Sequence, residues 1–278
     1  MKINNLDSFI NFQDLKKNSI TRHALSLKDT AIVTGGCGRI GSIFTSLFLL
    51  YGLNVIVLSR SKENYIKFIS KLDDHYKKKI SWKKFDLRKS ASIEIISKYL
   101  KNKKISYLVN NAAYSNRGKF FKYNSKILNE EIWGTFAGSM LLTEKLLPQL
   151  RKYKGAKIIF TGSLWGIKTP RFKIYKDLYI GPSPIIASGK AAILHYAKFL
   201  AEREASFGIT VNSLLPGWFP KKGKIERKDY IKRIKDNIPL NRIGNLKDLV
   251  SAIEFLISNQ SSYVTGHELI VDGGYSLS

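Results

Sequence analysis

The sequence AIVTGGCGRIG, at residues 31–41, is the strongest indication of the fold of this 278-residue chain. It begins as an apolar, partly β-branched run that is typical of a buried strand. Glycines then stand at every third position, at Gly35, Gly38 and Gly41, before a run with helical character. A strand, a glycine-rich turn and a helix N-terminus together form a site where backbone N–H groups face an anion. The segment therefore predicts a phosphate-binding turn, in which Arg39 either contacts a phosphate or points to solvent.

Apolar strands and helical patterns alternate along most of the chain. We expect residues 1–28 to be an N-terminal extension and residues 29–278 to form one domain, because a chain of this length can bury one sizeable core. The predicted strands are Ala31–Thr34, Asn54–Leu58, Ile80–Phe85, Tyr107–Asn110, Lys157–Thr161, Thr210–Leu215 and Glu268–Val271. Helical patterns fall near residues 39–51, 62–76, 90–102, 125–153, 185–207 and 246–258. The alternation indicates an α/β fold, a doubly wound parallel sheet of the Rossmann-like kind.

One uncharged stretch, Ile40–Leu58, is about long enough to span a bilayer. Residues 52–54 (Gly-Leu-Asn) interrupt it and its second half is β-branched, so we expect a helix followed by a buried strand. The lone Cys37 excludes an internal disulfide, and the N-terminus lacks a secretory pattern. We therefore expect a cytoplasmic protein without a membrane segment.

The formal net charge is +26, from 47 Lys and Arg against 21 Asp and Glu. A basic patch attracts nucleic acid, anionic lipid or a phosphorylated substrate. The lysines here are scattered, with short clusters at residues 77–79 and 101–104, and we find no basic helix or repeated aromatic-basic motif. This pattern favours a solvated, lysine-rich surface over a nucleic-acid partner, and a salt titration with DNA and RNA distinguishes the two.

Several short motifs follow the glycine turn in a set order. They are Phe85-Asp86-Leu87, Asn110-Asn111-Ala112-Ala113, Trp133-Gly134-Thr135-Phe136, Thr161-Gly162-Ser163, Val211-Asn212 to Pro216-Gly217, and Tyr263-Val264-Thr265-Gly266 to Val271-Asp272-Gly273-Gly274. In sequence and order these motifs resemble those of the short-chain dehydrogenase/reductase (SDR) family, over nearly all of residues 28–278. The resemblance implies an oxidoreductase that uses a nicotinamide dinucleotide.

The same resemblance implies that the cofactor-binding residues lie at the ends of the strands. It places the pyrophosphate at Gly35, Gly38, Arg39, Ile40 and Gly41, the adenine at Asp86 and Leu87, the nucleotide ribose at Asn110 and Ala112, and the nicotinamide at Pro216 and Gly217. Arg39 is a departure from the family pattern, because a middle glycine commonly stands at this position.

The end of the second predicted strand bears on the choice between NADP and NAD. It reads Leu58-Ser59-Arg60, without the carboxylate that holds the ribose hydroxyls in NAD-preferring relatives. A hydroxyl followed by a guanidinium suits a 2′-phosphate, because Arg pairs with it through two charge-assisted bonds. We therefore expect NADP, with NAD as the alternative if Arg60 is only a solvated loop residue.

The SDR resemblance also implies a proton relay of a tyrosine, a lysine four residues later, a serine and an asparagine. Ser163 and Lys190 match the serine and the lysine and are the predicted catalytic residues, with Lys190 also holding the cofactor ribose. Ile186 stands at the tyrosine position, and Glu131 at the asparagine position. Glu131 is either a proton relay or an exposed helical residue. The usual relay cannot operate with this set of side chains.

The segment between Ser163 and Ile186 is longer than in most relatives. Its sequence PRFKIY, at residues 170–175, resembles SDR branches associated with bacterial surface sugars and flagellin modification. Tyr175 and Tyr179 are candidate replacements for the missing tyrosine. Loop packing or sugar stacking is the favoured role, because a phenol without a lysine one turn away keeps a pKa near ~10.

Two hypotheses of different classes follow. The first is an SDR oxidoreductase that acts on a small molecule such as a sugar or nucleotide sugar in surface-glycan synthesis. The alternative is a catalytically silent homologue that binds nucleotide or serves as a structural partner. In either case the SDR resemblance implies a homo-oligomer, either a dimer or a tetramer, because members of the family commonly pair the two long helices that are predicted here at 125–153 and 185–207.

Overall fold

The described part of the chain is a computed structural model of residues 30–114, 123–175, 183–220 and 228–277, and it contains one parallel sheet. The strands are β1 (Thr30–Thr34), β2 (Asn54–Ser59), β3 (Ile80–Lys84), β4 (Ile105–Asn110), β5 (Lys157–Thr161), β6 (Thr210–Pro216) and β7 (Glu268–Val271). Their order is β3-β2-β1-β4-β5-β6-β7, and each neighbouring pair is parallel. The predicted doubly wound sheet is confirmed. Residues 1–28 and Tyr179 lie outside the described residues.

Helices cover both faces of the sheet. They are α1 (Gly41–Leu50), α2 (Lys62–Ile69), α3 (Asp74–Lys77), α4 (Ser90–Leu100), α5 (Ser125–Ile132), α6 (Gly138–Leu150), α7 (Pro184–Glu204), α8 (Lys228–Lys235) and α9 (Val250–Ile257). A π-helical turn, Trp133–Ala137, joins α5 to α6. Helices α1 and α9 pack on one face, and α4, α6 and α7 pack on the other.

The strands are apolar without alternation because both faces of the sheet are covered. In β1, Ile32 and Val33 are both fully buried, but Val33 packs with α1 and α9, whereas Ile32 packs with α4, α6 and α7. Ile56 and Val57 of β2 divide between the two faces in the same way. The faces are thus occupied by apolar packing, which leaves the ends of the strands for polar groups.

The strand order changes direction between β1 and β4, which are neighbours in the sheet. The segments that leave the carboxyl ends of β1, β4, β5 and β6 begin at Gly35, Asn111, Gly162 and Gly217. In open α/β sheets a ligand lies outside these carboxyl ends, at the point where the winding reverses. The fold therefore brings most of the residues predicted from the motifs to one edge.

The uncharged stretch at residues 40–58 forms α1 and β2, as predicted. The break between them is at Gly52, whose φ of +86° lies in the left-handed region where glycine is favoured. Among the helices that the structure describes, none is long and apolar enough to cross a membrane.

Two helical predictions differ from the structure. The pattern at residues 62–76 predicts one helix, but the chain leaves the helical path after Ile69 and forms the separate turn α3. Helix α8 is not predicted, because its sequence KDYIKRIK is highly charged and buries only Ile234. The spacing of Tyr230, Ile234 and Ile238 is the missed signal, since all three join one small apolar cluster above the carboxyl edge.

Candidate active site

The turn between β1 and α1 forms the first part of the site. Gly35 has a φ of +63°, and its N–H donates to the carbonyl of Leu58 at 2.7 Å. Gly41 packs against the turn itself, because a Cβ there would lie 2.2 Å from the carbonyl oxygen of Gly35. Gly38 is exposed, and its N–H donates to the same carbonyl at 2.8 Å. Half-buried Ile40 precedes α1, so the turn presents backbone at a helix N-terminus, which suits a phosphate group.

A hydrogen-bond network joins the ends of β1, β4 and β5. The Thr34 hydroxyl accepts the N–H groups of Asn111 and Ala112, each at 2.9 Å, and donates to the carbonyl of Val109 at 3.2 Å. The Asn111 amide donates to the Thr34 carbonyl at 3.0 Å and accepts from the Thr161 hydroxyl at 3.3 Å. Asn111 is thus a positioning residue that the motif-based prediction, limited to Asn110 and Ala112, missed.

Asn110 lies at the end of β4 and is 3% exposed. Its amide nitrogen donates to the Thr143 hydroxyl at 2.9 Å, whereas its carbonyl oxygen is buried without a hydrogen-bond partner. A buried, unpaired amide oxygen is costly in a folded protein and marks a place where a ligand donor fits.

Two arginines flank the ring of Tyr114 next to the predicted adenine position. The guanidinium carbon of Arg88 is 4.3 Å from the ring centroid, and that of the exposed Arg60 is 5.6 Å from it. Arg88 also pairs with Asp86 at 2.8 Å and with Glu130 at 3.2 Å. The hydrogen bond from Arg88 holds the pKa of Asp86 below its usual range. Neither Arg88 nor Tyr114 is predicted from the motifs, although both lie within two residues of them.

Ser59, at the end of β2, is already engaged. Its hydroxyl accepts from the Trp82 indole at 2.9 Å and donates to the Ser61 carbonyl at 3.3 Å. Arg60 forms no ion pair with a carboxylate in the part of the chain described. The guanidinium is therefore more available to an incoming anion than the neighbouring hydroxyl.

Pro216 and Gly217 lie where β6 ends beside β7. The Gly217 N–H donates to the carbonyl of Val271 at 2.9 Å. A Cβ on Gly217 would lie 2.7 Å from the Cα of Asp272, so only glycine fits at this close approach. The two residues thus stand at the carboxyl edge, as the resemblance implies.

Arg39 does not point to free solvent. Its two terminal nitrogens donate to the carbonyls of Phe219 and Pro220, at 2.5 Å and 2.9 Å. Burial lowers the pKa of this guanidinium, and its Nε is buried without an acceptor. Of the two alternatives for Arg39, the solvated one is wrong.

Lys190 is buried on α7 and donates from Nζ to the carbonyl of Thr161 at 2.6 Å. Burial lowers the pKa of this ammonium group to about 8. An ammonium group carries three donors, so this bond leaves two for a ligand. Lys190 thus stands at the end of β5 with spare donors.

Ser163 begins a short 3₁₀ turn, Leu164–Gly166, directly after β5. Its hydroxyl oxygen accepts from the Trp165 N–H at 3.2 Å. A Cβ on Gly166 would lie 3.0 Å from the Lys190 carbonyl, so this turn packs directly on α7. The fold thus brings the turn of Ser163 and the helix of Lys190 together.

Glu131 is fully buried, so of the two alternatives for this residue the exposed helical one is wrong. Its carboxylate accepts from the Ser183 hydroxyl at 2.7 Å. Ser183 in turn caps α7 by accepting the Ile186 N–H at 3.3 Å, and it also accepts from the Tyr123 hydroxyl at 3.2 Å. The burial is not predictable from the helical pattern, because the partner is 52 positions away.

Tyr175 lies in an aromatic cluster. Its ring centroid is 6.4 Å from that of Trp165, 6.1 Å from that of Trp218 and 6.0 Å from that of Tyr230. Its side chain is 7% exposed, and burial raises the pKa of its phenol above the ordinary range. Tyr175 therefore packs as the loop-packing hypothesis predicts and is poorly suited to acid–base chemistry.

Among the described residues, no cluster of side chains suits a metal ion.

The candidate site lies where α/β proteins of this fold bind dinucleotides, and known proteins have the same fold. A family model described as enoyl-(acyl carrier protein) reductase matches residues 39–276. The oxidoreductase UcpA of Salmonella typhimurium is 29% identical over 263 residues, which cover 89% of this chain and 94% of that protein. The chain belongs to the short-chain dehydrogenase/reductase family.

Solved structures have the same architecture. A short-chain dehydrogenase from Leptospira borgpetersenii with bound NAD⁺ has a TM-score of 0.78 at 27% identity, covering 99% of this chain and 100% of that one. The NADP complex of RhlG from Pseudomonas aeruginosa shares the fold, with a TM-score of 0.78 at 21% identity, covering 92% of this chain and 100% of that one. One of these structural relatives was therefore solved with NAD⁺ and the other with NADP.

The residues of this chain fit such a group. The three glycines leave the main chain of the turn without side chains at Gly35, Gly38 and Gly41. The Asn110 side-chain oxygen has no hydrogen-bond partner, and Lys190 has two unused donors. Arg39 and Arg60 form no ion pair with a carboxylate in the ranges that the structure describes. These features are those of a site that receives a polyanionic ligand with sugar hydroxyls.

Proposed function

We propose that this oxidoreductase uses NADP and acts on a sugar or nucleotide sugar of surface-glycan synthesis, with Ile186 in place of the family's tyrosine. One observation carries the proposal. The bare glycine turn, the exposed Arg60 and the paired positions of Ser163 and Lys190 all lie at one edge of the sheet.

The preference for NADP rests on Arg60. No carboxylate ends β2, and Arg60 is exposed beside the Tyr114 ring. A 2′-phosphate supplies an anion for this guanidinium, which forms no ion pair with a carboxylate among the described residues, whereas NAD offers only ribose hydroxyls there. NAD remains the alternative cofactor, and the Leptospira relative was solved with it.

A bound nicotinamide supplies a hydride to the carbon of a carbonyl group, or accepts one from an alcohol, and reduction then needs one proton at the substrate oxygen. The Ser163 hydroxyl accepts from Trp165 and has its own proton available, so it donates to that oxygen. Lys190 binds the ribose with its two spare donors, and its bond to the Thr161 carbonyl holds the ammonium group at the end of β5.

The proton itself needs another source, because Ile186 has none to give. We propose Tyr123, Ser183 and Glu131 as one source, and the support for it is that hydrogen bonds of 3.2 Å and 2.7 Å join the three side chains. Water is the other source. Loss of a positioned general acid costs about 10²- to 10⁴-fold in rate, so we expect slow turnover.

The proposal of a sugar substrate is based on an aromatic surface near Ser163. Trp165 and Trp218 are half-buried, and they pack with Tyr175, Tyr230 and Tyr275 above the ends of β5, β6 and β7. Flat aromatic faces with a few polar groups are typical of small-molecule sites. An acyl thioester is the second candidate substrate, favoured by the description of the matched family model.

The proposal includes a homo-oligomer, a dimer or a tetramer. Large apolar side chains are exposed on α5, α6 and α7, namely Leu128, Ile132, Met140 and Phe199. Exposed apolar groups on neighbouring long helices are typical of a subunit interface. The cytoplasmic location expected from the lone Cys37 stays a prediction.

The test is a titration of the purified protein with NADPH and with NADH, followed by nicotinamide fluorescence, and then turnover with ketosugars and acyl thioesters. We expect tighter binding of NADPH and slow oxidation of it by a ketosugar. Gly38→Asp places a carboxylate on the exposed crest of the turn and serves as the non-binding control. Binding without turnover of any substrate favours the silent homologue, and absence of binding overturns the proposal.

A further inference from the structure

Arg39 joins two segments that are far apart in the sheet. It follows β1, while its acceptors Phe219 and Pro220 follow β6. Strands β1 and β6 are three places apart, with β4 and β5 between them. At about 4.8 Å per strand this is roughly 14 Å, so the Arg39 side chain and residues 217–220 together bridge the ends of β4 and β5.

The charge of Arg39 is not neutralised by its described contacts. Both acceptors are main-chain carbonyls, and Arg39 pairs with no carboxylate in the part of the chain described. Its Nε is buried without an acceptor, and burial lowers the pKa of the guanidinium. Partial burial of an uncompensated cation is unfavourable unless an anion arrives to pair with it.

The position of Arg39 indicates which anion that is. It lies between Gly38 and Gly41, in the turn whose backbone faces outward at the N-terminus of α1. A diphosphate at this turn is adjacent to the guanidinium and matches its planar donors. Arginine at this place is a property of this chain, since glycine is the common family residue.

We propose that Arg39 is a positioning residue that couples the diphosphate of the cofactor to the segment after β6. The guanidinium pairs with the diphosphate through the N–H groups that its bonds to the carbonyls of Phe219 and Pro220 leave unused. Diphosphate binding then stabilises residues 217–220 beside the nicotinamide position, and the coupling is reciprocal. The inference rests on the proposed function, because it requires that the turn bind a dinucleotide.

The test compares Arg39→Gly with Arg60→Gly, two variants that each remove one guanidinium. The ligands are NADPH, ADP, which has a diphosphate but no 2′-phosphate, and adenosine 2′-monophosphate, which has the reverse. We expect Arg39→Gly to weaken the binding of ADP and of NADPH by about tenfold or more and to leave the binding of adenosine 2′-monophosphate unchanged. We expect Arg60→Gly to weaken the binding of adenosine 2′-monophosphate and to leave that of ADP unchanged.

The second readout is hydrogen exchange in peptides that cover residues 217–220, with and without ADP. We expect ADP to slow exchange there in the unaltered protein and in Arg60→Gly, but not in Arg39→Gly. Arg39→Lys keeps the charge without the forked donors, so it retains part of the ADP affinity and loses the protection. This variant also replaces Arg39→Gly if the latter does not fold.

The outcomes separate the two proposals. If the unaltered protein binds neither dinucleotide nor ADP, the proposed function fails and the inference fails with it. If Arg39→Gly binds ADP as tightly as the unaltered protein, the inference alone is overturned. Weaker ADP binding with unchanged protection of residues 217–220 also overturns it, because the coupling is then absent.

Discussion

Lys190 donates from its ammonium group to the carbonyl of Thr161 at 2.6 Å, and this bond ties α7 to the end of β5. A second buried lysine, Lys157, lies at the opposite end of β5 and donates to the Ser261 hydroxyl at 3.1 Å. Both ammonium groups have neutral partners, and burial lowers the pKa of each to about 8. Both therefore reduce the stability of the folded state when they are charged.

Lys157 and Lys190 should make the free energy of unfolding rise with pH between about 8 and 9, above which the buried Cys37 thiol, whose pKa burial raises to about 12, begins to oppose them. In this window the unfolded chain still binds protons at Lys157 and Lys190 that the folded chain has released, so the folded state gains. Below about pH 8 both lysines are protonated in the folded and in the unfolded chain, so the free-energy cost of burying their charges does not change with pH. One such group contributes about 1.4 kcal/mol per pH unit. Urea unfolding across this range measures the slope.

Lys157→Met should remove the contribution of one proton from the pH slope of the free energy of unfolding, and it should raise the stability of the folded state at neutral pH. The exposed Lys62, on α2, is the matched control, and Lys62→Met should leave the slope unchanged. Equal slopes in the two variants would contradict the shifted pKa of Lys157.

Ile186→Tyr should restore a proton donor one helical turn before Lys190. The lysine ammonium lowers the pKa of a phenol placed there and makes it an effective acid. We expect NADPH oxidation with a responsive substrate to rise by about 10²- to 10⁴-fold. Ile186→Phe has the ring without the hydroxyl and should give no gain. Similar rates for the two variants would show that the remaining site is not competent.

Arg60→Gln should reduce the affinity for NADPH by about 10- to 100-fold and change that for NADH little. The reason is that only NADPH carries the 2′-phosphate that Arg60 is expected to pair with. Lys62→Gln removes a neighbouring charge two residues away and serves as the control for long-range attraction. Fluorescence titration at two salt concentrations measures both effects. Parallel losses for the two dinucleotides would point to general electrostatics instead.

Phe199→Glu should shift the protein toward the monomer. Phe199 lies on α7 and is 54% exposed, and a carboxylate there is costly to bury in an apolar interface. The change is measured by light scattering after size exclusion. Ile95→Glu, at a 67% exposed position on α4, is the control and should leave the mass unchanged. A monomer for the unaltered protein would remove the predicted oligomer.

The strands and the glycine turn were accessible from sequence because their signals are local. Apolar runs end at glycines, and each motif lies within a few residues of the strand that positions it. Arg39 and Glu131 were not decided in this way, because their partners are 180 and 52 positions distant. Ser59 shows the same limit, since Trp82 engages a hydroxyl that the local sequence leaves free. Local pattern predicts where a residue sits, and tertiary contact decides which of its groups remain available.

Glu131 and Ser183 offer a last test, because their 2.7 Å hydrogen bond lies at the N-terminus of the helix that carries Lys190. Ser183→Ala removes both the cap of α7 and a partner of a buried carboxylate. We expect it to cost about 2 to 3 kcal/mol, more than a cap alone. Urea unfolding of Ser183→Ala, Glu131→Ala and the double variant should give a coupling energy above about 0.5 kcal/mol.

Ser61→Ala is the control for the cap. Ser61 caps α2 by accepting the Asn64 N–H at 3.1 Å at the protein surface, so its loss should cost about 1 kcal/mol. Equal losses in the free energy of unfolding for Ser61→Ala and Ser183→Ala would mean that the Glu131 carboxylate contributes nothing beyond the helix cap. Additive effects of Glu131→Ala and Ser183→Ala would lead to the same conclusion. A positive coupling would instead establish Glu131 as a carboxylate held by the N-terminus of α7.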